Sequence, residues 1–200
     1  MIKNIVFDFG DIFINLDKLA VFKHMARFGF TALTPELDTL AKDYEMGLMS
    51  SERYVAALHD IFPKADAERI IRAWNSIILD FPQYRLDFIE NLRKENNYRL
   101  FLLSNTNDLH ITYIKETMGI TRYNRFKACF EQFYLSHEIH MRKPNADIYK
   151  YVLAENELHA NETFFIDDTP ENTESAALLG INTWNLKVGQ EDVIELTKKL

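Results

Sequence analysis

The stretch IKNIVFDF, residues 2–9, is a short run rich in Ile, Val and Phe that ends at Gly10. An apolar run of this length that stops at glycine is typical of a strand buried at the centre of a sheet. The run carries an aspartate, Asp8, near its carboxyl end. The sequence therefore predicts a central first strand that delivers Asp8 to one edge of a sheet.

The segment that follows, from about Leu16 to Ile78, contains no convincing strand and shows only helical spacings of apolar residues. Gly29 is placed to end a first helix as its left-handed cap, and Thr34-Pro35 combines an N-cap with a proline at the first helical position. Two further apolar patterns of helical period come after it. We predict a four-helix insertion over residues 16–81, directly after the first strand.

After Pro82 strands and helices alternate again, and a last helix is expected over residues 189–200. Strands separated by helices of this length imply right-handed crossovers in a parallel sheet. We predict an α/β core, residues 1–15 and 82–200, with a mainly parallel sheet covered by helices on both faces. The later strands are expected at YRLFLLSN (98–105), residues 130–135, ETFFID (162–167) and INTWNL (181–186).

The composition, 47% apolar and 26% charged residues, is that of an ordinary globular protein. A formal charge of −7 without a long Lys/Arg cluster argues against a nucleic-acid groove. We expect no leader before the first strand and no membrane span, because no apolar run approaches the roughly 18 residues that span a bilayer. The lone Cys129 suits a reducing cytosol. We expect a cytoplasmic protein, a monomer or small homo-oligomer, that binds a small molecule and neither nucleic acid nor membrane.

Polar residues follow three of the predicted strands, at the edge where ligands bind in parallel α/β sheets. Taken singly, each has an ordinary explanation as a turn former, a helix cap, a loop residue or a partner of a helix dipole. Their convergence on one edge favours a functional site. The candidates are Asp8, Ser104, Asn105, Asp167 and Asp168, together with Lys143, which precedes the helix leading to the third of these strands.

This set of residues suits phosphoryl transfer. Carboxylates from two strands form a hard oxygen site of the kind that Mg²⁺ prefers. A carboxylate beside that cation can attack phosphorus and form an acyl-phosphate, which splits one displacement into two easier ones. Ser104 and backbone N–H groups near Asn105 can hold the phosphoryl oxygens, and Lys143 offers a compact positive charge to both nucleophile and phosphate.

Four stretches in order resemble the motifs of the haloacid-dehalogenase superfamily: FDFG (7–10), LLSN (102–105), RKPNADIY (142–149) and FIDDTPEN (165–172). The all-helical insertion after the first stretch is similar to the cap of the first subfamily. The resemblance covers essentially the whole chain. It implies a Rossmann-like core with a mobile helical cap, dependence on Mg²⁺, and hydrolase activity, usually that of a phosphatase acting on a small phosphorylated metabolite.

The resemblance also implies a role for each matching residue. Asp8 is both the nucleophile, which forms a phospho-aspartate intermediate, and a metal ligand. By the same resemblance, the Gly10 carbonyl and Asp168 bind the metal directly and Asp167 binds it through water. Ser104 and Asn105 bind the phosphate, and Lys143 stabilises the nucleophile and the phosphoryl group. Asn172 supports the ligand shell of the metal.

One position departs from the superfamily pattern. Its phosphatases usually carry a general acid and base two residues after the nucleophile, whereas this chain has Gly10 there and an aspartate, Asp11, one residue later. Either Asp11 is a displaced proton shuttle, or it fills a turn position with positive φ that Asp tolerates. A branch that resembles sugar-1-phosphate phosphatases shares this feature. Because an anomeric oxygen is a better leaving group than an ordinary alkoxide and depends less on an acid, we expect a sugar 1-phosphate as the substrate.

Two questions stay open at this point. The turn at residues 44–47, between the second and third cap helices, either faces the site or is an ordinary turn. The activity is that of a phosphatase, or the carbon–halogen hydrolysis for which the superfamily is named, or that of a catalytically weak binding or regulatory protein. A requirement for Mg²⁺ separates the first from the second, because dehalogenation needs no metal.

Overall fold

The computed structural model describes all 200 residues and has five β-strands in one sheet. The spatial order is third, second, first, fourth and fifth strand, and every neighbouring pair is parallel. The predicted α/β class is confirmed, with the first strand of the chain at the centre. The strands are β1 (Asn4–Phe7), β2 (Arg99–Ser104), β3 (Gln132–Leu135), β4 (Thr163–Asp167) and β5 (Asn182–Asn185).

Ten α-helices surround the sheet or form the insertion. Each is too short or too polar to span a lipid bilayer. They are α1 (Ala20–Ala26), α2 (Pro35–Glu45), α3 (Ser51–Ile61), α4 (Ala67–Asn75), α5 (Gln83–Glu95), α6 (Asp108–Met118), α7 (Ile120–Lys127), α8 (Ser136–Ile139), α9 (Ala146–Glu155) and α10 (Pro170–Ala177).

The sheet is buried on both faces, as the apolar strand runs indicate. Ile5 and Phe7 point into an apolar cluster of 26 residues that includes α5, α6 and α7 side chains. Val6 points to the opposite face, into a cluster of 11 residues that includes α9 and α10 side chains. This alternation is the period of two expected of a strand, and burial of both sides explains why the strands read as continuous apolar runs.

The helices α1 to α4 share a third apolar cluster of nine buried residues, separate from those of the sheet. Polar N-caps start three of these helices: the side chains of Thr34, Ser50 and Asp66 accept hydrogen bonds from the first turns of α2, α3 and α4. A separate apolar cluster supports our proposal that residues 16–81 form a cap unit, with residues 1–15 and 82–200 as the core.

The prediction of a last α-helix over residues 189–200 is wrong. The chain there forms a 3₁₀-helix, Val193–Lys198, that begins after Asp192 with a capping box. Gly189, at a φ of 78°, and the cap at Asp192 delay the helix start, and the few residues left are too short for a stable α-helix. The structure also adds α7, for which no polar N-cap precedes the apolar positions.

Candidate active site

The carboxyl ends of β1, β2 and β4 meet at one rim of the sheet, because these strands are neighbours and in register. Asp8 follows β1 directly, Ser104 is the last residue of β2, and Asp167 is the last residue of β4. The rim lines a cleft of about 420 Å³ that residues of the helical insertion also line. The structure thus brings together the residues that the sequence places at strand ends.

Lys143 is the cationic centre of this rim, and its side chain is only 1% exposed. Its ammonium group donates to Asp8 Oδ1 at 2.7 Å, to Asp167 Oδ2 at 2.6 Å and to the Leu103 carbonyl at 2.9 Å. All three N–H donors are therefore used. Burial alone would lower the pKa of Lys143, but the carboxylates of Asp167 and Asp8 outweigh burial and raise it.

Asp8 has one oxygen that is held and one that is free. Lys143 binds Oδ1, whereas Oδ2 makes no hydrogen bond within the protein. Burial raises the pKa of Asp8 to about 7; Lys143 opposes this rise, and Asp167 and Asp168 add to it. A divalent cation beside Asp8 would lower this pKa, because it stabilises the charged form.

Asp167 is fully buried, and both of its oxygens are occupied. Oδ1 accepts from the Thr169 N–H at 2.8 Å, and the Asn172 amide donates to both oxygens at 3.1 and 3.0 Å. Lys143 takes the remaining position on Oδ2. These contacts fix the orientation of Asp167 and make it less available than Asp168 for direct metal binding. They are compatible with the predicted water-mediated role and with a supporting role for Asn172.

Asp168 faces the cleft and contacts a lysine of the insertion, Lys18, which the sequence reasoning missed. The Lys18 ammonium lies 2.5 Å from Asp168 Oδ2 and 3.0 Å from Asp11 Oδ2. Burial raises the pKa of Asp168, and Lys18 opposes this rise. A single lysine just ahead of α1 carries no motif, so only the folded contact identifies it.

Three carboxylates at the rim lie close enough together to surround one cation position. Ligand oxygens of Asp8, Asp167 and Asp168 all lie within 4.8 Å of one another. Mg²⁺ prefers hard oxygen ligands and retains several waters, so this donor set fits Mg²⁺. Gly10, whose carbonyl is the other predicted ligand, lines the same cleft.

The two predicted phosphate-binding residues differ in what their side chains do. Ser104 lines the cleft, and the contact of its hydroxyl group, 3.5 Å from the Asn105 carbonyl, is long. The Asn105 amide instead holds the backbone of Lys143: Nδ2 donates to its carbonyl and Oδ1 accepts from its N–H, both at 2.9 Å. The Asn105 side chain therefore positions Lys143.

Asp11 has the geometry of the turn alternative. Its φ is 54°, in the left-handed region that Asp tolerates. Its Oδ1 accepts from the Leu16 N–H at 3.0 Å, and its Oδ2 faces Lys18 at 3.0 Å. Asp11 does not belong to the lining of the cleft, whereas Gly10 does.

The turn that ends α2 docks its backbone against the core. Ser136 Oγ donates to the Glu45 carbonyl at 2.6 Å, and His140 Nδ1 lies 2.9 Å from the Met46 carbonyl. Gly47 packs so closely that a Cβ atom there would lie 2.1 Å from the His137 carbonyl oxygen. The close approach requires glycine at position 47.

Within that turn, Glu45 lines the cleft, which answers the question left open by the sequence. Its carboxylate pairs with Arg142 of the core at 3.0 Å. Tyr44, by contrast, is buried in the cap, and its hydroxyl accepts from the Leu109 N–H at 3.2 Å. Arg142 had one sequence signal, its place beside Lys143 in the third motif, but its partner on the distant α2 had none.

The matches to known proteins agree with this architecture. A model of the haloacid dehalogenase-like hydrolase family matches residues 5–186, and the chain therefore belongs to that family. The chain is 27% identical over 203 residues, 98% of both chains, to a D-ribitol-5-phosphate phosphatase of Bacteroides thetaiotaomicron.

Solved structures of a haloacid dehalogenase (HAD) family enzyme from the same organism are also similar. Its magnesium complex is 34% identical with a TM-score of 0.85, and the match covers 95% of this chain and 96% of that one. Its wild-type complex with magnesium and inorganic phosphate is 32% identical with a TM-score of 0.78, over 96% and 97% of the two chains. The predictions of a HAD-type hydrolase and of a Rossmann-like α/β fold are confirmed. The predicted phosphatase activity and Mg²⁺ requirement agree with these relatives.

Proposed function

We propose that this protein is a Mg²⁺-dependent phosphomonoesterase in which Asp8 is the nucleophile. The observation that carries the proposal is the state of the Asp8 carboxylate. Lys143 fixes one of its oxygens, the other has no protein partner, and the oxygens of Asp167 and Asp168 lie within 4.8 Å. A carboxylate that is oriented, partly free and next to a cation site is suited to attack phosphorus.

Each residue of the rim has a separate role in the proposed reaction. Asp8 Oδ2 attacks phosphorus while the bond from phosphorus to the ester oxygen breaks, and the leaving oxygen takes a proton from water and departs as the alcohol. A second water then attacks the phospho-aspartate, which releases inorganic phosphate and restores the Asp8 carboxylate. Lys143 keeps its charge at neutral pH and balances the negative charge of the nucleophile and the phosphate. The Ser104 hydroxyl and the N–H groups after β2 hold the phosphoryl oxygens. Asn105 acts through the backbone of Lys143.

Asp8, Asp168 and the Gly10 carbonyl would hold Mg²⁺ directly, with Asp167 acting through water. The chemistry that Mg²⁺ supplies there is neutralisation of the charge on the phosphoryl oxygens. Asn172 and the Thr169 N–H keep the Asp167 carboxylate oriented toward this site. Supporting hydrogen bonds of this kind are a usual requirement for a well-formed metal site.

We propose a phosphorylated polyol or sugar as the substrate. The cleft of about 420 Å³ between rim and cap has the size of a small-molecule site. The Bacteroides relative is named for D-ribitol 5-phosphate, whose leaving group is a primary alkoxide. The sequence instead favours a sugar 1-phosphate, whose leaving oxygen needs less help from an acid. A cytoplasmic location and a monomeric or small homo-oligomeric state also stay predictions.

The test is a phosphate-release screen over polyol and sugar phosphates, with and without Mg²⁺, using Asp8→Asn as the blank. We expect turnover only with Mg²⁺ and a loss of at least about 10³-fold in Asp8→Asn, because the nucleophile is removed while the shape is kept. Activity that persists in Asp8→Asn would refute the proposed role. Halide release from a haloacid without Mg²⁺ would support the dehalogenase alternative instead.

A further inference from the structure

An ion pair between cap and core borders the cleft. Glu45 is the last residue of α2, and Arg142 directly precedes Lys143. Arg142 Nε and Nη2 both donate to the same oxygen, Glu45 Oε2, at 3.2 and 3.0 Å. The two side chains are 25% and 18% exposed, and both line the cleft. The pair therefore lines the cleft from two separate parts of the chain.

This arrangement leaves one strong acceptor and one strong donor unused. Glu45 Oε1 and Arg142 Nη1 make no hydrogen bond within the protein. A hydroxyl group both donates and accepts, so neighbouring hydroxyls on a ligand can satisfy both atoms. A hydrocarbon or aromatic group would cover them without pairing them, which costs free energy. A second anionic group would be attracted by Arg142 but repelled by Glu45.

The backbone on both sides fixes where this pair stands. Ser136 holds the carbonyl of Glu45 at 2.6 Å, so the end of α2 is tied to the core. Arg142 is one residue away from Lys143, whose N–H is held by Asn105 and whose ammonium contacts Asp8. The distance between the pair and the nucleophile is thus set by short, well-anchored segments. Precise placement of this kind is what selective recognition requires.

We propose that Glu45 and Arg142 are specificity-determining residues that bind hydroxyl groups in the organic part of the substrate. The inference rests on the proposed phosphatase function and deepens it, because it assigns the selection of polyhydroxylated phosphomonoesters to one ion pair. Glu45 Oε1 accepts from one substrate hydroxyl, and Arg142 Nη1 donates to the same or the next one. One of the two residues, Glu45, belongs to the cap. A bound polyol therefore also stabilises the position in which α2 is docked on the core.

The test compares D-ribitol 5-phosphate with p-nitrophenyl phosphate, which has no hydroxyl groups, in the Mg²⁺-loaded enzyme. The variant is the double substitution Glu45→Leu with Arg142→Met, which keeps the volume and leaves no unpaired buried charge. We expect the ratio of kcat/KM for the two substrates to fall at least about tenfold, mainly through a higher KM for the polyol phosphate. The control is Asp43→Asn on the same helix, whose side chain makes no hydrogen bond or ion pair and which is outside the cleft lining.

Two outcomes would overturn the inference while the proposed function stands. Equal losses of kcat/KM with both substrates would mean that the pair only keeps the cap closed, and no loss with either substrate would mean that the pair does not contact the substrate. Calorimetric titration of Asp8→Asn with D-ribitol 5-phosphate and with methyl phosphate measures binding without turnover, and so tests the inference independently of catalysis. The polyol phosphate should bind at least about tenfold more tightly, and the double variant should lose that advantage. Absence of Mg²⁺-dependent turnover in the wild-type protein would instead refute the proposed function.

Discussion

The two ends of the cleft are built in different ways. At the rim of the sheet, side chains from three strand ends are held by charge: the Lys143 ammonium contacts two carboxylates and is 1% exposed. At the cap, the turn after α2 is held mainly by its backbone, through the carbonyls of Glu45 and Met46 and the close approach of Gly47. The rim therefore depends on a balance of buried charges, and the cap side of the cleft depends on how closely the insertion and the core fit together.

This difference has consequences for what a substitution does. Removing a charge at the rim leaves another charge buried without a partner. The resulting loss of stability is large and depends on pH and on cations. Changing the cap contact alters the fit between two units, each of which keeps its own apolar cluster. We expect such changes to affect substrate selection and cap docking more than the integrity of the sheet.

The largest expected effect is that of Lys143→Met, which leaves Asp8 and Asp167 buried without their cation. We expect the free energy of unfolding at pH 8 to fall by about 3–5 kcal/mol, as for other buried pairs that lose one partner. The loss should be smaller near pH 5, because the pKa of Asp8 is raised by burial and its protonated form needs no counter-charge. Denaturant unfolding at the two pH values measures this effect.

Mg²⁺ should restore part of the stability of Lys143→Met, since a cation at the carboxylates replaces some of the missing charge. The control is Lys42→Met, which removes an exposed pair with Asp38 on α2 and should cost less than about 1 kcal/mol. If Lys143→Met cost no more than this control at pH 8, the charge balance at the rim would not be the source of its stability.

The next effect concerns His110, which joins α6 to the cap. Its Nδ1 accepts from the Asn107 amide at 3.1 Å, its Nε2 lies 3.1 Å from the Trp74 carbonyl, and its ring stacks on Trp74. Burial lowers the pKa of His110 to about 4. The unfolded chain, with an ordinary pKa near 6.5, binds a proton at a higher pH than the folded one. Stability therefore falls as the pH drops from about 6.5 to 4, and it rises with pH in that window.

The slope from this one proton is at most about 1.4 kcal/mol per pH unit. We expect the variant His110→Gln to lack this contribution, so that its unfolding free energy falls less steeply than that of the wild-type protein between pH 6.5 and 4. Chemical unfolding at four pH values gives both slopes. Parallel curves would show that His110 accepts a proton in the folded state without cost, despite its burial and its contacts with Asn107 and Trp74.

Gly47→Ala tests the fit of the cap turn, with Gly29→Ala as a matched control. Both glycines have positive φ, 66° and 105°, so alanine is strained at each. Only at position 47 would the new Cβ meet an atom, 2.1 Å from the His137 carbonyl oxygen; at position 29 it meets nothing within 4 Å. We expect Gly47→Ala to cost about 1–3 kcal/mol more than the control, because the turn is overpacked. It should also lower kcat/KM for polyol phosphates more than Gly29→Ala does. Equal losses of stability in the two variants would mean that the docked position of the turn does not contribute to stability.

The contrast between rim and cap also explains how much could be predicted from the sequence. The rim residues stand at the ends of apolar runs, so strand pattern and topology suffice to bring Asp8, Ser104 and Asp167 together. The contacts of Lys18 and of Glu45 with Arg142 depend on how the insertion docks on the core, and no local period encodes that. The same limit applies to Asn105, whose amide turned out to hold the backbone of Lys143.

The smallest expected effect is that of Asp11→Asn, at the junction between the rim and the first cap helix. Asn tolerates the φ of 54° and keeps the acceptor for the Leu16 N–H, so only the charge facing Lys18 is lost. Lys18 is half exposed, and a pair with such a partner is worth about 1 kcal/mol or less. We therefore expect kcat to stay within about threefold of the wild-type value with D-ribitol 5-phosphate and with p-nitrophenyl phosphate. A loss near 10²-fold, confined to the polyol phosphate with its poorer leaving group, would instead mean that Asp11 moves protons and that the turn opens during turnover.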